Sequence, residues 1–93
     1  MPESRATVTT EQGLRCLTRL CRHWSHKFQV SFDEQRGEIV FDPARPTLTR
    51  FEGGLTAVIE APDTDTLDRL HPVVADHMQR MVADETLQID WQR

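Results

Sequence analysis

The sequence has no Asn, no Tyr and a single Lys, Lys27, against ten Arg. Asn, Tyr and Lys use AT-rich codons, so this skew points to a GC-rich, bacterial genome. No uninterrupted apolar run exceeds three residues, Ile39-Val40-Phe41 and Ala57-Val58-Ile59 among them. That excludes a transmembrane helix, which needs about 20. The start, Met1-Pro2-Glu3-Ser4-Arg5, lacks the apolar core of a secretion signal, and a cytoplasmic location is the expectation. The two cysteines are then reduced thiols. Also missing are a C-x-x-C pair, an H-E-x-x-H helix, a glycine-rich phosphate loop, a Ser-His-Asp order and paired catalytic carboxylates. Standard zinc, nucleotide and hydrolase chemistries therefore have no signature here.

What is present suits one soluble domain spanning 1–93. The chain is 38% hydrophobic and 28% charged, too apolar for a disordered segment and long enough for one core. The net charge of −4 is unevenly spread. Residues 1–27 hold Arg5, Arg15, Arg19, Arg22 and Lys27 against Glu3 and Glu11, a net of +3, which leaves −7 for the rest. Such a layout can be satisfied within the monomer, across a homodimer or by an anionic ligand. The overall acidity argues against a nucleic-acid binder.

Pattern and turn chemistry place the elements. Ala6–Thr10 is rich in β-branched residues and reads as a short strand. Thr9 followed by Gln12 fits a capping box for a helix over about Glu11–His23. At 100° per residue Gly13, Leu17, Leu20, Trp24 and Phe28 share one face, with Leu14 and Cys21 at its edge. Arg15, Arg19, Arg22 and His26 form the opposite stripe. Cys21 reads as a small buried hydrophobe and Cys16 as a flank residue.

Phe28–Phe32 alternates as a strand, and Asp33–Gly37 reads as a hairpin loop with Gly37 at positive φ. Glu38–Asp42 returns. Pro43-Ala44-Arg45-Pro46 should break the ladder, because proline cannot donate to it. Thr47–Phe51 and Leu55–Glu60 make a second hairpin around Glu52-Gly53-Gly54. Asp63 or Thr64 caps a second helix, with Leu67, Leu70, Val74, Met78 and Met81 on one stripe. Pro72 should kink or split it. Leu87–Trp91 alternates as a closing strand. The order is β-α-β-β-β-β-α-β, and the fold class is α+β: a two-layer sandwich with an antiparallel sheet of five to six strands under two helices.

Three stretches carry a resemblance: Leu20-Cys21-Arg22-His23-Trp24-Ser25-His26-Lys27, Ala75-Asp76-His77-Met78-Gln79-Arg80, and Leu87-Gln88-Ile89-Asp90-Trp91-Gln92-Arg93. In order and spacing they resemble a bacterial family of small proteins, domain of unknown function number twenty-two eighteen. The resemblance covers nearly the whole chain. Some similar members are encoded beside, or fused to, siderophore-interacting flavoproteins. That implies a place in siderophore or iron metabolism and a siderophore-interacting protein as partner.

The residues support three functional readings. The first is a non-catalytic binding or accessory module in which Arg15, Arg19, Arg22, His26 and Lys27 hold an anionic ligand or partner, since guanidinium is the planar donor suited to carboxylate and phosphate. It needs no cofactor. The second is a zinc, iron or haem protein using His23, His26 and His77, imidazole being a fitting ligand. His23 and His26, three apart on a helix, can share an ion. Cys21 and His23 point about 160° apart and cannot. The third is a homodimer joining the basic helix to an acidic sheet edge. A nucleophilic cysteine has no base beside it. Trp24, Trp91, Met78 and Met81 read as core, and His71 as a satisfied core or cap histidine.

Overall fold

In a computed structural model that describes residues 2–92, the chain runs β1 (Glu3–Thr9), α1 (Gly13–Trp24), β2 (Gln29–Phe32), β3 (Arg36–Val40), β4 (Arg45–Phe51), β5 (Gly54–Glu60) and α2 (Thr64–Met81). The five strands form one antiparallel sheet in the order β1-β5-β4-β3-β2. The α+β sandwich is thus realised, with four consecutive strands in a meander. β1 closes the other side on β5, from Glu3 opposite Glu60 to Thr9 opposite Gly54.

Strict alternation explains which face is covered. In β1, Ser4, Ala6 and Val8 point inward while Glu3, Arg5, Thr7 and Thr9 point out. Inward residues from neighbouring strands continue these rows: Ala57 and Ile59 on β5, Leu48 on β4, Ile39 on β3. Each fully buried Leu or Ile contributes roughly 1.5–3 kcal/mol of transfer free energy. α1 packs over β2, β3 and β4, and α2 lies over β1 and β5 and against α1. The outer face has no helix over it and carries Thr47, Thr49 and Thr56 among charged residues. No helix among the described residues is long and apolar enough to cross a membrane.

Local structure departs from the sequence expectations at several points. β1 begins at Glu3, earlier than expected, because its pairing with β5 runs to Glu60. Thr9 faces outward and caps nothing. Its neighbour Thr10 accepts the Gln12 amide (3.0 Å) and donates to Glu85 Oε1 (2.6 Å), so a turn and a distant carboxylate replace the capping box. The buried stripe of α1 is rotated toward its cysteines. Cys16 and Cys21 are wholly buried, whereas Leu14 is 38% exposed.

Gly37 lies within β3, and a Cβ there would land on Cys21 Sγ. Its smallness lets α1 approach the sheet, and the positive φ belongs instead to Gly53 (97°), in the β4–β5 turn. Pro46 does not stop its strand. It pairs with Ile59 of β5 beyond the end of the β3–β4 ladder, which closes at Thr47, so β4 has one neighbour there. Pro72 sits inside an unbroken α2, which Asp63 caps by accepting the Thr66 amide at 2.7 Å.

Among its described residues the closing segment keeps one β pairing. Arg5 and Gln92 exchange two backbone hydrogen bonds of 2.8 Å along the free edge of β1. Upstream of that bridge, Gln79 Oε1 accepts the Leu87 amide at 2.8 Å, so a side chain takes the place of a neighbouring strand.

Candidate functional site

The concavity with the most chemistry lies where the end of α1 meets α2 and the β3–β4 loop. Its volume is about 540 Å³, within the range of small-molecule sites. Trp24, Phe28, Phe41, Leu70 and Val73 form the walls, and His23, His26, Lys27 and His77 the rim.

Each wall residue has a local reason to be there. Trp24 is the last residue of α1 on its buried stripe and is only 4% exposed. The Phe28 amide donates to the Trp24 carbonyl at 2.8 Å, which folds the chain back and lays Phe28 beside Phe41 (centroids 4.6 Å). Phe41 meets the edge of Trp24 at 4.9 Å and 86°, the T-shaped geometry that ring quadrupoles prefer. On α2, Leu70, Val73 and His77 stand three and four residues apart and so share a face. Val73 keeps 38% of its surface exposed, a cost tolerated at the mouth of a site.

The rim carries one lysine and three imidazoles. Two of the five proposed anion-binding residues, His26 and Lys27, are on it, and all three proposed metal-binding histidines are. Arg15, Arg19 and Arg22 do not line it. They lie exposed along α1, where Arg15 donates to Gln12 Oε1 at 2.9 Å and Arg19 to the Met81 carbonyl at 3.2 Å. None of the three arginines forms an ion pair among the described residues, where the pairs are Arg36–Glu38 and Arg45–Glu38.

His23 and His77 face each other with ring centroids 5.5 Å apart, and His77 also lies 5.1 Å from Trp24. The Val73 carbonyl accepts a 2.6 Å hydrogen bond from His77 Nδ1, which leaves Nε2 as the nitrogen available to a ligand. Among the described residues no group of three His, Cys, Asp or Glu side chains is placed to hold a metal ion. His23 and His77 are therefore the pair the fold assembles, and His26 shares the rim without completing a ligand set.

The cysteines offer no nucleophile. Burial pushes Cys16 up to about 12, helped by Cys21 and Glu85, and burial pushes Cys21 up to about 11. Both stay protonated at neutral pH, and the Cys16 thiol points at the Met78 carbonyl, 3.6 Å away.

Over residues 5–92 the sequence matches the family described as "Uncharacterized protein conserved in bacteria (DUF2218)". The chain belongs to that family. Its fold is also that of a solved structure, "NMR structure of PA4090 from Pseudomonas aeruginosa", at 40% identity and a TM-score of 0.83. That match covers 99% of this chain and 96% of the other. A search of curated proteins returns no match. For this DUF2218 chain the site must therefore be read from its own chemistry.

Phe28, Phe41, Leu70 and Val73, together with Trp24, which read as core, are the site residues that sequence reasoning missed. The Leu70–Val73–His77 spacing on α2 was the available signal. Phe41 had none, because its place depends on the β3–β4 loop, which turns at Asp42 (φ 51°).

Proposed function

We propose that this protein is a non-catalytic binding module whose pocket takes a small planar aromatic anion, of the catecholate or salicylate kind used in siderophore chemistry. One observation carries the reading: aromatic and aliphatic walls meet a rim of Lys27 and three histidines in a single concavity of about 540 Å³. A flat ring can stack on one of the aromatic walls, Phe28 or Phe41, and meet the other rings edge-on. Its carboxylate or phenolate oxygens can meet the Lys27 ammonium and the imidazoles, as charge-assisted hydrogen bonds require. Both thiols are buried away from the pocket, whose polar chemistry rests on Lys27 and the imidazoles.

The test is an NMR titration with 2,3-dihydroxybenzoate. Saturable shifts are expected at His23, Trp24, Lys27, Phe28, Phe41 and His77, with quenching of Trp24 fluorescence. Phenol, which is neutral, should bind at least tenfold more weakly. Spectra unchanged at millimolar 2,3-dihydroxybenzoate would remove the proposal.

A metal-dependent form of this reading rests on the His23–His77 pair. His77 already has the backbone-carbonyl partner that orients metal-binding imidazoles. Two protein ligands fall short of the usual three or four for zinc or iron, so the bound molecule's oxygens would supply the rest. Metal analysis of untagged protein, with and without 2,3-dihydroxybenzoate, separates the two forms. Equal metal content near zero in both samples excludes this one.

A further inference from the structure

Of the three imidazoles on the pocket rim, one has its proton placed by the fold. His77 Nδ1 lies 2.6 Å from the Val73 carbonyl, one turn back on α2. A carbonyl oxygen can only accept, so Nδ1 carries the proton. In the neutral ring Nε2 then presents a lone pair and no hydrogen. The ring is also held in place, with His23 and Trp24 against it at centroid distances of 5.5 and 5.1 Å. His77 cannot exchange the roles of its nitrogens without losing the Val73 bond. For His23 and His26, no hydrogen bond among the described residues selects a tautomer, so either can present an N–H.

That difference sorts the oxygens of a bound aromatic acid. A carboxylate is all acceptor, and against Nε2 of neutral His77 two lone pairs would meet. Its partner is the Lys27 ammonium, helped by an N–H of His23 or His26 on the same rim. What satisfies His77 is a donor, and the donor such a ring can carry is a hydroxyl. A hydroxyl ortho to the carboxylate is ill suited, because it donates to that carboxylate within the ligand. One placed further round the ring is free to donate outward.

We infer that His77 is a specificity residue that reads a ligand hydroxyl. The pocket takes an aromatic acid whose carboxylate meets Lys27 and whose ring carries, away from that carboxylate, a hydroxyl donating to His77 Nε2. This rests on the reading of the pocket as an aromatic-anion site and narrows it. The simplest member of the class is 3-hydroxybenzoate, and 2,3-dihydroxybenzoate belongs to it through its 3-hydroxyl. His77 is half-buried, so water partly satisfies Nε2 when the hydroxyl is missing. Discrimination is then roughly three- to tenfold, the scale of one neutral hydrogen bond, and not the far larger factor of a sealed polar site.

An NMR titration in metal-free buffer at pH 8, where imidazole is ordinarily neutral, tests this with benzoate, 3-fluorobenzoate, 3-hydroxybenzoate and salicylate. 3-Hydroxybenzoate should bind roughly three- to tenfold more tightly than benzoate. It should exceed 3-fluorobenzoate by a similar factor, since fluorine is close to hydroxyl in size and lacks the donor. Salicylate should group with benzoate. The nitrogen-15 shift of His77 Nε2 should move much further on saturation with 3-hydroxybenzoate than with benzoate. His77→Phe keeps a ring in place of the imidazole and has no acceptor. In that variant the ratio of 3-hydroxybenzoate to benzoate affinity should fall to about one. Equal affinities of the wild-type chain for all the probes overturn the inference and leave the aromatic-anion site standing. A preference for 3-hydroxybenzoate that survives in His77→Phe also overturns it, and puts the hydroxyl contact on another residue. Binding of none of the four removes the site itself, and the inference with it.

Discussion

α2 carries two histidine–tryptophan clusters that look alike in composition and differ in what they can do. Toward its first half, His71 stacks on Trp91 with rings 5.0 Å apart and 7° from parallel, and shares a 2.7 Å hydrogen bond with the buried hydroxyl of Ser4. Six residues later, His77 tilts against Trp24 and His23, and its hydrogen bond goes to the carbonyl of its own helix at Val73. The first cluster ties β1, α2 and the closing segment together. In the second, the hydrogen bond of His77 stays within its own helix, and its remaining nitrogen borders a cavity. Residue type alone does not mark a binding site. What matters is whether the polar atoms are already consumed by the fold.

The comparison can be broken at its strongest point first. Trp24→Ala should cost about 3–5 kcal/mol in denaturant unfolding, because Trp24 belongs to the core as much as to the pocket. A loss below about 1 kcal/mol would show that the pocket cluster bears no structural weight.

His71→Ala should cost about 1–3 kcal/mol, since it leaves the Ser4 hydroxyl buried without this partner and removes a stacked ring. His77→Ala should shift stability by less than about 0.5 kcal/mol and lower affinity for 2,3-dihydroxybenzoate several-fold. If the two variants exchange these effects, the assignment of roles is wrong.

The effect that vanishes at neutral pH comes from the thiols. Both cysteines should resist iodoacetamide at pH 8 in the folded protein and react once it is unfolded. The folded values of about 12 and 11 lie above the ordinary 9.0, so above pH 9 the native chain binds more protons than the unfolded one. Their influence on stability is therefore absent below pH 9, and stability declines as pH rises from 9 toward 12. Denaturation midpoints at pH 8 and 10.5 check the sign.

Much of the fold was legible because hydrophobic period is a local property. The buried stripe of α1 and the alternation in β1, β2 and β5 follow from which residues must leave water. Local rules failed where a distant residue intervened. Thr10 replaced the capping box because Glu85 arrives from the far end of the chain. Gly37 went to packing instead of a turn because Cys21 sits above it. Leu87–Trp91 alternates like a strand, yet Gln79 takes the Leu87 amide and only Gln92 reaches β1.

The site divides along the same line. Lys27, His23 and His26 stand together in sequence, and their helix-terminal cluster was visible as such. The sequence by itself determined the class of fold, the inward tryptophan and the outward arginines, because side-chain polarity and the periods of helix and strand depend on near neighbours alone. Only the tertiary structure decided that His77 joins His23, that Phe41 and Val73 wall a cavity, and that the arginines stand away from it. Those facts depend on how two helices tile one sheet, a relation between segments that no local pattern encodes.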